Sequence, residues 1–460
     1  MDELVRRHNI VKSAFHKSVR GAGHIALGKP CQDYSISYEE CGMVIAVVCD
    51  GHGGNTYFRS DVGARFAAEI TLGRLREFAR NIPPETFANK KFALTAKPKR
   101  NPFIDAEGKR VRYEEMNEEQ QRYARQVQVY VEAEGQFKEQ QACIETLLKK
   151  IYDDWRREIR KDEEANPLSK NERAILNGQG IEKAYGCTLL AFMGTPHYWL
   201  SFHIGDGKIF VCDRSLSWTS PVPEDCTCFL NYTTSLCDNS PLDEFRYAFS
   251  GSGEQPFAVM LCSDGVDGSL RTDDNLQDFY EQIIGLFLDG DNVEEELSSY
   301  LPILSADGNR DDISISGFVS LKNVDTEVLR KKLEIKKKNR DIKADYRTRV
   351  SEIDAIKEKI DTLSIKYQTQ QDLCWNKQTE LDGIRHRVQM KENELESIEV
   401  SVAAIKKEIE ALEKTFEAKC KALDEWKFTI KNEMAENEAE WANNTTADEC
   451  SMPPLNVTNW

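Results

Sequence analysis

The 460-residue chain carries 61 Lys and Arg against 78 Asp and Glu, a formal net charge of −17. So acidic a protein repels phosphate backbones and anionic lipid, which excludes gripping nucleic acid or a membrane through bulk charge. The length implies roughly two to three structural units, and 40% apolar with 30% charged residues suits a globular core joined to something more polar. At the N-terminus, Met1-Asp2-Glu3-Leu4-Val5-Arg6-Arg7 is followed by no apolar stretch of the kind a signal peptide needs. The longest apolar runs, such as Met43–Cys49, fall short of the roughly 20 residues that cross a bilayer. A cytoplasmic protein is the expectation. The 13 cysteines agree: their number is odd and most stand singly among apolar neighbours. Cys226-Thr227-Cys228 is the nearest approach to a zinc pair and has no second pair at ligand spacing, so free thiols are expected.

In chain order, Met43–Cys49 is a continuous, β-branched apolar run, the pattern of a strand buried on both faces. It runs into Asp50-Gly51-His52-Gly53-Gly54, and Phe58, Val62, Phe66 and Ile70 then fall on one helical face. Residues 83–115 are charged and irregular. Helix is predicted over 117–162, where Ile144, Leu147, Leu148, Ile151, Trp155 and Ile159 keep helical spacing. Residues 188–193 and 198–204 read as a strand pair, and Gly205-Asp206-Gly207-Lys208 after it fits a hairpin turn. Residues 257–262 form a further buried strand ending in Ser263-Asp264-Gly265. Ile313–Val319 forms another, preceded by Asp311-Asp312.

From 324 to 441 glycine and proline nearly vanish and a heptad appears. Steps of seven from Tyr346 meet Ile353, Ile360, Tyr367, Cys374, Leu381, Val388, Leu395, Val402, Ile409, Phe416, Leu423 and Ile430. A second row three residues on includes Ile356, Leu363, Ile398, Ile405, Leu412 and Trp426. Such a seam must be covered by another helix. Because the first row never loses phase, one continuous helix on the order of 150 Å long is the simplest reading. A hairpin turning near 368–372 or at Gly383 is ranked below it. Homo-oligomerisation or a helical partner through 324–441 is the inference, and 442–460 reads as a loose tail.

Three buried strands each carry an aspartate at one end. Carboxylates grouped around glycines suit hard divalent cations such as Mg²⁺ or Mn²⁺, which prefer oxygen ligands and tolerate a close backbone carbonyl. Two such ions can activate a water and clamp a phosphoryl group. No Cys-x₅-Arg loop, G-x-S-x-G elbow or Walker loop is present. His52 lies inside the glycine-rich loop, where proton transfer is the natural reading.

Asp50-Gly51-His52-Gly53-Gly54, Ser263-Asp264-Gly265 and Asp311-Asp312-Ile313-Ser314, in this order, resemble the metal-dependent serine/threonine phosphatases of the protein phosphatase 2C family. Gln32-Asp33, Gly186-Cys187-Thr188 and Gly205-Asp206-Gly207 add to the likeness, which spans 12–320, and residues 18–33 look most like the bacterial branch. The resemblance implies an α+β fold: a β-sandwich of two antiparallel sheets flanked by helices, with two Mn²⁺ or Mg²⁺ ions at one end. It implies that Asp50 bridges both ions, the Gly51 carbonyl binds one, and Asp264 and Asp311 complete the ligand set of the second ion. Asp33 would hold metal-bound water, a bridging water would attack phosphorus directly, and His52 would serve as general acid. Arg20 and His24 are the candidates for substrate phosphate, and Asp206 for a third metal. The implied partner is a phosphorylated protein, with a serine/threonine kinase as the enzyme opposed. Three departures stand out. Gln32 replaces one carboxylate of the usual acidic pair, the segment after Arg20 is longer, and Asp267 follows Ser263-Asp264-Gly265 one residue early. A phosphatase-like scaffold that binds partners without turnover is the alternative reading.

Overall fold

The computed structural model describes residues 13–99, 101–104, 109–224, 233–253, 255–383 and 388–443. The Cys226-Thr227-Cys228 pair and the tail from residue 444 onward lie outside the described residues. The chain separates into two compact units, Met1–Thr326 and Glu327–Trp460.

The first unit is built on two antiparallel sheets. One takes β1 (Ala14–Val19), β11 (Ile313–Val319), β10 (Ala258–Cys262), β7 (Lys208–Cys212) and β8 (Trp218–Thr219), in that spatial order. The other takes β2 (Tyr34–Glu40), β3 (Met43–Cys49), β5 (Leu189–Gly194), β6 (Trp199–Ile204), β9 (Arg246–Ser250) and β4 (Lys91–Leu94). The facing sides supply Ala46, Val48, Leu190 and Phe192 from one sheet and Val259, Leu261 and Phe318 from the other. Burial on both faces explains why β3, β5 and β10 read as apolar runs, while β6 also buries Ser201 and His203. In β11, Ser314 and Ser316 are buried as well, and their hydroxyls are satisfied by Ser18 Oγ at 2.6 Å and the Ile36 carbonyl at 3.0 Å.

Helices cover the outer faces. A long pair, α2 (Ser60–Asn81) and α4 (Lys138–Ala165), lies on the β2–β4 sheet and builds the larger core with Leu75, Ile144, Leu148 and Trp155. The buried Trp155 indole donates to the Gly63 carbonyl at 3.0 Å, locking the two helices. The helices expected over 117–162 are α3 (Glu118–Ala133) and α4, parted where Gly135 and Phe137 both take positive φ. Residues 83–115 are not wholly irregular, because β4 pairs with β9 and forms the sheet's last strand. Its four residues are too short to show a period. Shorter helices complete the unit: α1 (Ala22–Leu27), α5 (Lys170–Leu176), α6 (Pro241–Glu244) and α7 (Asp264–Leu270), then α8 (Asp273–Asp289) and α9 (Val293–Asp307). Residues 205–207 correct the hairpin expectation, since β6 and β7 belong to different sheets. Gly205 carries the chain across with φ +118, and its amide donates to Thr234 Oγ1.

The second unit corrects the continuous helix. It contains two, α10 (Thr326–Gly383) and α11 (Val388–Asn443), with the connection outside the described residues. Their contacts run antiparallel: Tyr346 stacks on Trp426 at 6.1 Å, Glu352 pairs with Lys419, and the Cys374 thiol meets Glu399 at 3.8 Å. The chain therefore folds back, and each heptad row is covered by its own other half. Residues 368–372, one place considered for a turn, are helical. No helix among the described residues is long and apolar enough to cross a membrane.

Candidate active site

Strand register alone gathers the aspartates. Tyr34 faces Cys49, so Asp33 and Asp50 leave β2 and β3 at the same end. Cys262 faces Ile315 across β10 and β11, and Val19 faces Ile313 across β1 and β11, which puts Arg20, Asp264 and Asp311 at one end of the other sheet. The Gly51–Cys187 bridge and the bond from the Thr188 amide to the Asp50 carbonyl, 2.8 Å, dock the glycine loop onto the chain entering β5. Gly51 has to be glycine, because a Cβ there would lie 2.4 Å from the Gln32 carbonyl oxygen.

Burial, and after it mutual repulsion, sets the electrostatics of the cluster. Burial first, then the charge of Asp312, pushes the Asp33 carboxyl well above the usual range, although the Ser263 hydroxyl bonds to it. Burial, then Asp33 and Asp264, do the same to Asp50, whose carboxyl lies within hydrogen-bond reach of Asp264. Asp311 is raised by burial and by Asp264, and Asp206, on the rim, is pushed up to about 6 by desolvation and then Asp264. Asp33 Oδ2 is buried with no hydrogen-bond partner. Buried carboxylates raised by one another, one with an orphaned oxygen, are a donor set suited to hard divalent cations. Among the described residues, no group of three or more His, Cys, Asp or Glu side chains is yet drawn into a ready-made metal cage.

The other candidates divide into those that face this cluster and those that do not. His24, on α1, places Nδ1 2.8 Å from Asp312 and Nε2 3.9 Å from Asp311, so its ring is engaged by the acidic pair. Arg20 is exposed and uses Nη1 to hold the Lys29 carbonyl at 3.3 Å. His52 is pushed down to about 4, by burial and then by the Lys183 charge. Its ring lies 4.7 Å from that of Tyr57, and its carbonyl accepts from Gln32 Nε2 at 3.0 Å and Ser60 Oγ at 2.9 Å. Gln32, where a carboxylate was expected, thus braces the glycine loop instead. Asp267 is taken by Lys208, whose Nζ is 3.3 Å away and also reaches Asp273 at 3.1 Å. Several contributors were missed in the sequence. Thr188 Oγ1 accepts from the Asp50 amide at 3.0 Å, Lys29 Nζ donates to the Gly53 carbonyl at 3.0 Å, and Ser263 supports Asp33. Thr188 and Ser263 stand inside the motifs Gly186-Cys187-Thr188 and Ser263-Asp264-Gly265, and only the roles of their side chains went unread.

No curated protein matches the sequence. Among solved structures, the Mycobacterium tuberculosis serine/threonine phosphatase PstP/Ppp shares 12% identity, covering 67% of this chain and 98% of that one, with a TM-score of 0.35. The catalytic domain of PstP in complex with two manganese ions shares 14%, covering 66% and 97%, at 0.35. PppA, a regulatory component of T6SS in Pseudomonas aeruginosa, shares 15%, covering 66% and 95%, at 0.35. The family model for protein phosphatase 2C matches residues 20–302, well over half of the sequence, and the chain belongs to that family.

Proposed function

We propose that the first unit is a Mn²⁺- or Mg²⁺-dependent phosphoprotein phosphatase acting on phosphoserine or phosphothreonine. The observation that carries this reading is the convergence of Asp33, Asp50, Asp264 and Asp311 at one end of both sheets, with the Asp33, Asp50 and Asp311 carboxyls raised by burial and by neighbouring carboxylates. Asp50, the Gly51 carbonyl, Asp264 and Asp311 would hold two cations, with Asp33 beside them. When bound, these ions supply an acidified water and charge neutralisation for in-line displacement at phosphorus. Arg20 stands exposed at the edge of the cluster with guanidinium nitrogens left to meet a phosphate. His24, held by Asp312, orients the chain beside it rather than waiting for substrate. His52, neutral at pH 7 in this environment, would give a hydrogen bond to a departing serine or threonine oxygen. With Asp267 held by Lys208, a third cation at Asp206 has one carboxylate fewer to draw on.

The deciding experiment is phosphate release from a phosphothreonine peptide with Mn²⁺, Mg²⁺ or EDTA, for wild type and Asp264→Asn. Metal-dependent release that falls to background in the variant is the expected result. Absence of release from folded wild type under every metal would sink the reading. It would favour the second one, a phosphatase-like scaffold. The helical hairpin would then be the working part.

A further inference from the structure

Beyond the assigned ligands, one buried carboxylate just before β11 is tied both to the chain leaving β1 and to the chain entering β2. We propose that Asp312 is a positioning residue, whose carboxylate fixes the Arg20–His24 segment and the Gln32–Asp33 segment against Asp311; this rests on the phosphatase reading above. The Asp312 side chain is 1% exposed. Its Oδ1 accepts from the Gly21 amide at 2.6 Å and its Oδ2 from the Gln32 amide at 2.5 Å, with His24 Nδ1 2.8 Å from the same Oδ2. Its own amide donates to Asp311 Oδ1 at 2.9 Å. One residue therefore orients a candidate metal ligand directly, and sets the backbone next to Asp33 and next to Arg20.

Neighbouring backbone bonds at this end hold α1, while the Gln32 amide is held by Asp312. Gly23 donates to the Arg310 carbonyl at 2.8 Å, and Ser305 Oγ joins the Ala22 amide, at 3.0 Å, to the Asp311 carbonyl, at 2.9 Å. All of them stitch α1 to the 310–312 turn, whereas Gln32 is reached by Asp312. The Gly21 Cα is pressed so close that a Cβ would sit 2.2 Å from the Asp311 carbonyl carbon. A neutral residue at 312 would leave two buried amides without full partners, and the ligand segments would lose their common reference.

The test uses the full chain with Asp312→Ala and Asp312→Asn, reading Mn²⁺ affinity by calorimetry, melting temperature without metal, and KM for a phosphothreonine peptide. Asp312→Ala is expected to weaken Mn²⁺ binding on the order of 10- to 100-fold and to raise KM. Asp312→Asn, which keeps one acceptor oxygen, should fall between it and wild type. A merely structural role would lower the melting temperature and leave Mn²⁺ affinity unchanged in the folded variants, and that result overturns the proposal. If neither variant folds, amide exchange on wild type decides it. Gly21 and Gln32 protected as well as β11 support the anchor; exchange at the rate of open loops refutes it. Wild type that neither binds Mn²⁺ nor releases phosphate would instead remove the phosphatase reading, and the positioning role with it.

Discussion

The two units of this chain solve opposite problems with the same polymer. In the sandwich, short strands bring together residues far apart in sequence, such as Asp33 and Asp312, and the product is a site. In the hairpin, two long helices repeat one local rule, and the product is a surface with a single row of contacts. A residue in the sandwich is held from several sides, while one in the hairpin touches its own helix and one other. Damage should therefore spread in the first unit and stay local in the second.

Loss of a charge at the site gives the largest effect, since Asp264→Asn should abolish metal-dependent release altogether. The same variant sharpens the electrostatic argument through stability. Asp33 and Asp50 have carboxyls raised above their unfolded values, so their cluster favours folding at low pH and costs stability as pH rises. At neutral pH without metal, Asp264→Asn should melt higher than wild type, because one repelling carboxylate is gone. With Mn²⁺ at about 100 times its dissociation constant, wild type should gain about 2.7 kcal/mol, and the variant much less. Calorimetric melting with and without Mn²⁺ checks both signs.

One tryptophan in each unit measures the contrast directly. Trp155 is wholly buried between α2 and α4, and Trp155→Ala should cost about 3–5 kcal/mol and take activity with it. Trp426 is half-buried, stacked on Tyr346 with the Arg349 guanidinium 4.5 Å from its ring. Trp426→Ala should cost about 1–2 kcal/mol, read as a shift in the helical melt alone, with phosphate release unchanged. Equal losses of activity from both substitutions would mean that the units are coupled.

The smallest effect is in pH. His203 on β6 is buried, its Nε2 has no hydrogen-bond partner, and burial followed by the Arg246 charge holds it well below 6.5. Above about pH 6.5 neither state binds the proton. Below it the unfolded chain takes the proton first, so stability falls by about 1.4 kcal/mol per pH unit. A His203→Gln protein that stays folded should show a flatter melting profile from pH 6.5 to 5; an unchanged slope would assign the effect elsewhere.

Much of this was legible beforehand in the sandwich and less in the helices. The motifs around Asp50, Asp264 and Asp311 name themselves because glycine, aspartate and a buried strand side by side have few other uses. Gln32 and Asp312 did not, because what they do depends on backbone amides brought from elsewhere in the chain. The fold-back was also partly written down. Residues 330–349 hold ten Lys and Arg against three Asp and Glu, while 424–440 hold six Asp and Glu against two Lys. Antiparallel pairing sets those runs side by side. The unbroken heptad phase by itself favoured one helix, although helices pairing in a hairpin need not share phase.

The sequence by itself determined the buried strands, the carboxylate motifs, the amphipathic α4 and the heptad seam. Each of these is a local pattern, set by which side chains water rejects and by their period along the backbone. Tertiary structure alone decided that β6 and β7 part into different sheets, that β4 completes an edge, and that Asp267 answers to Lys208. It also decided that Asp312 gathers two amides and that the helices cover each other. These depend on which distant groups become neighbours, and a hydrogen bond or an ion pair forms only between groups that packing has already placed within about 3 Å.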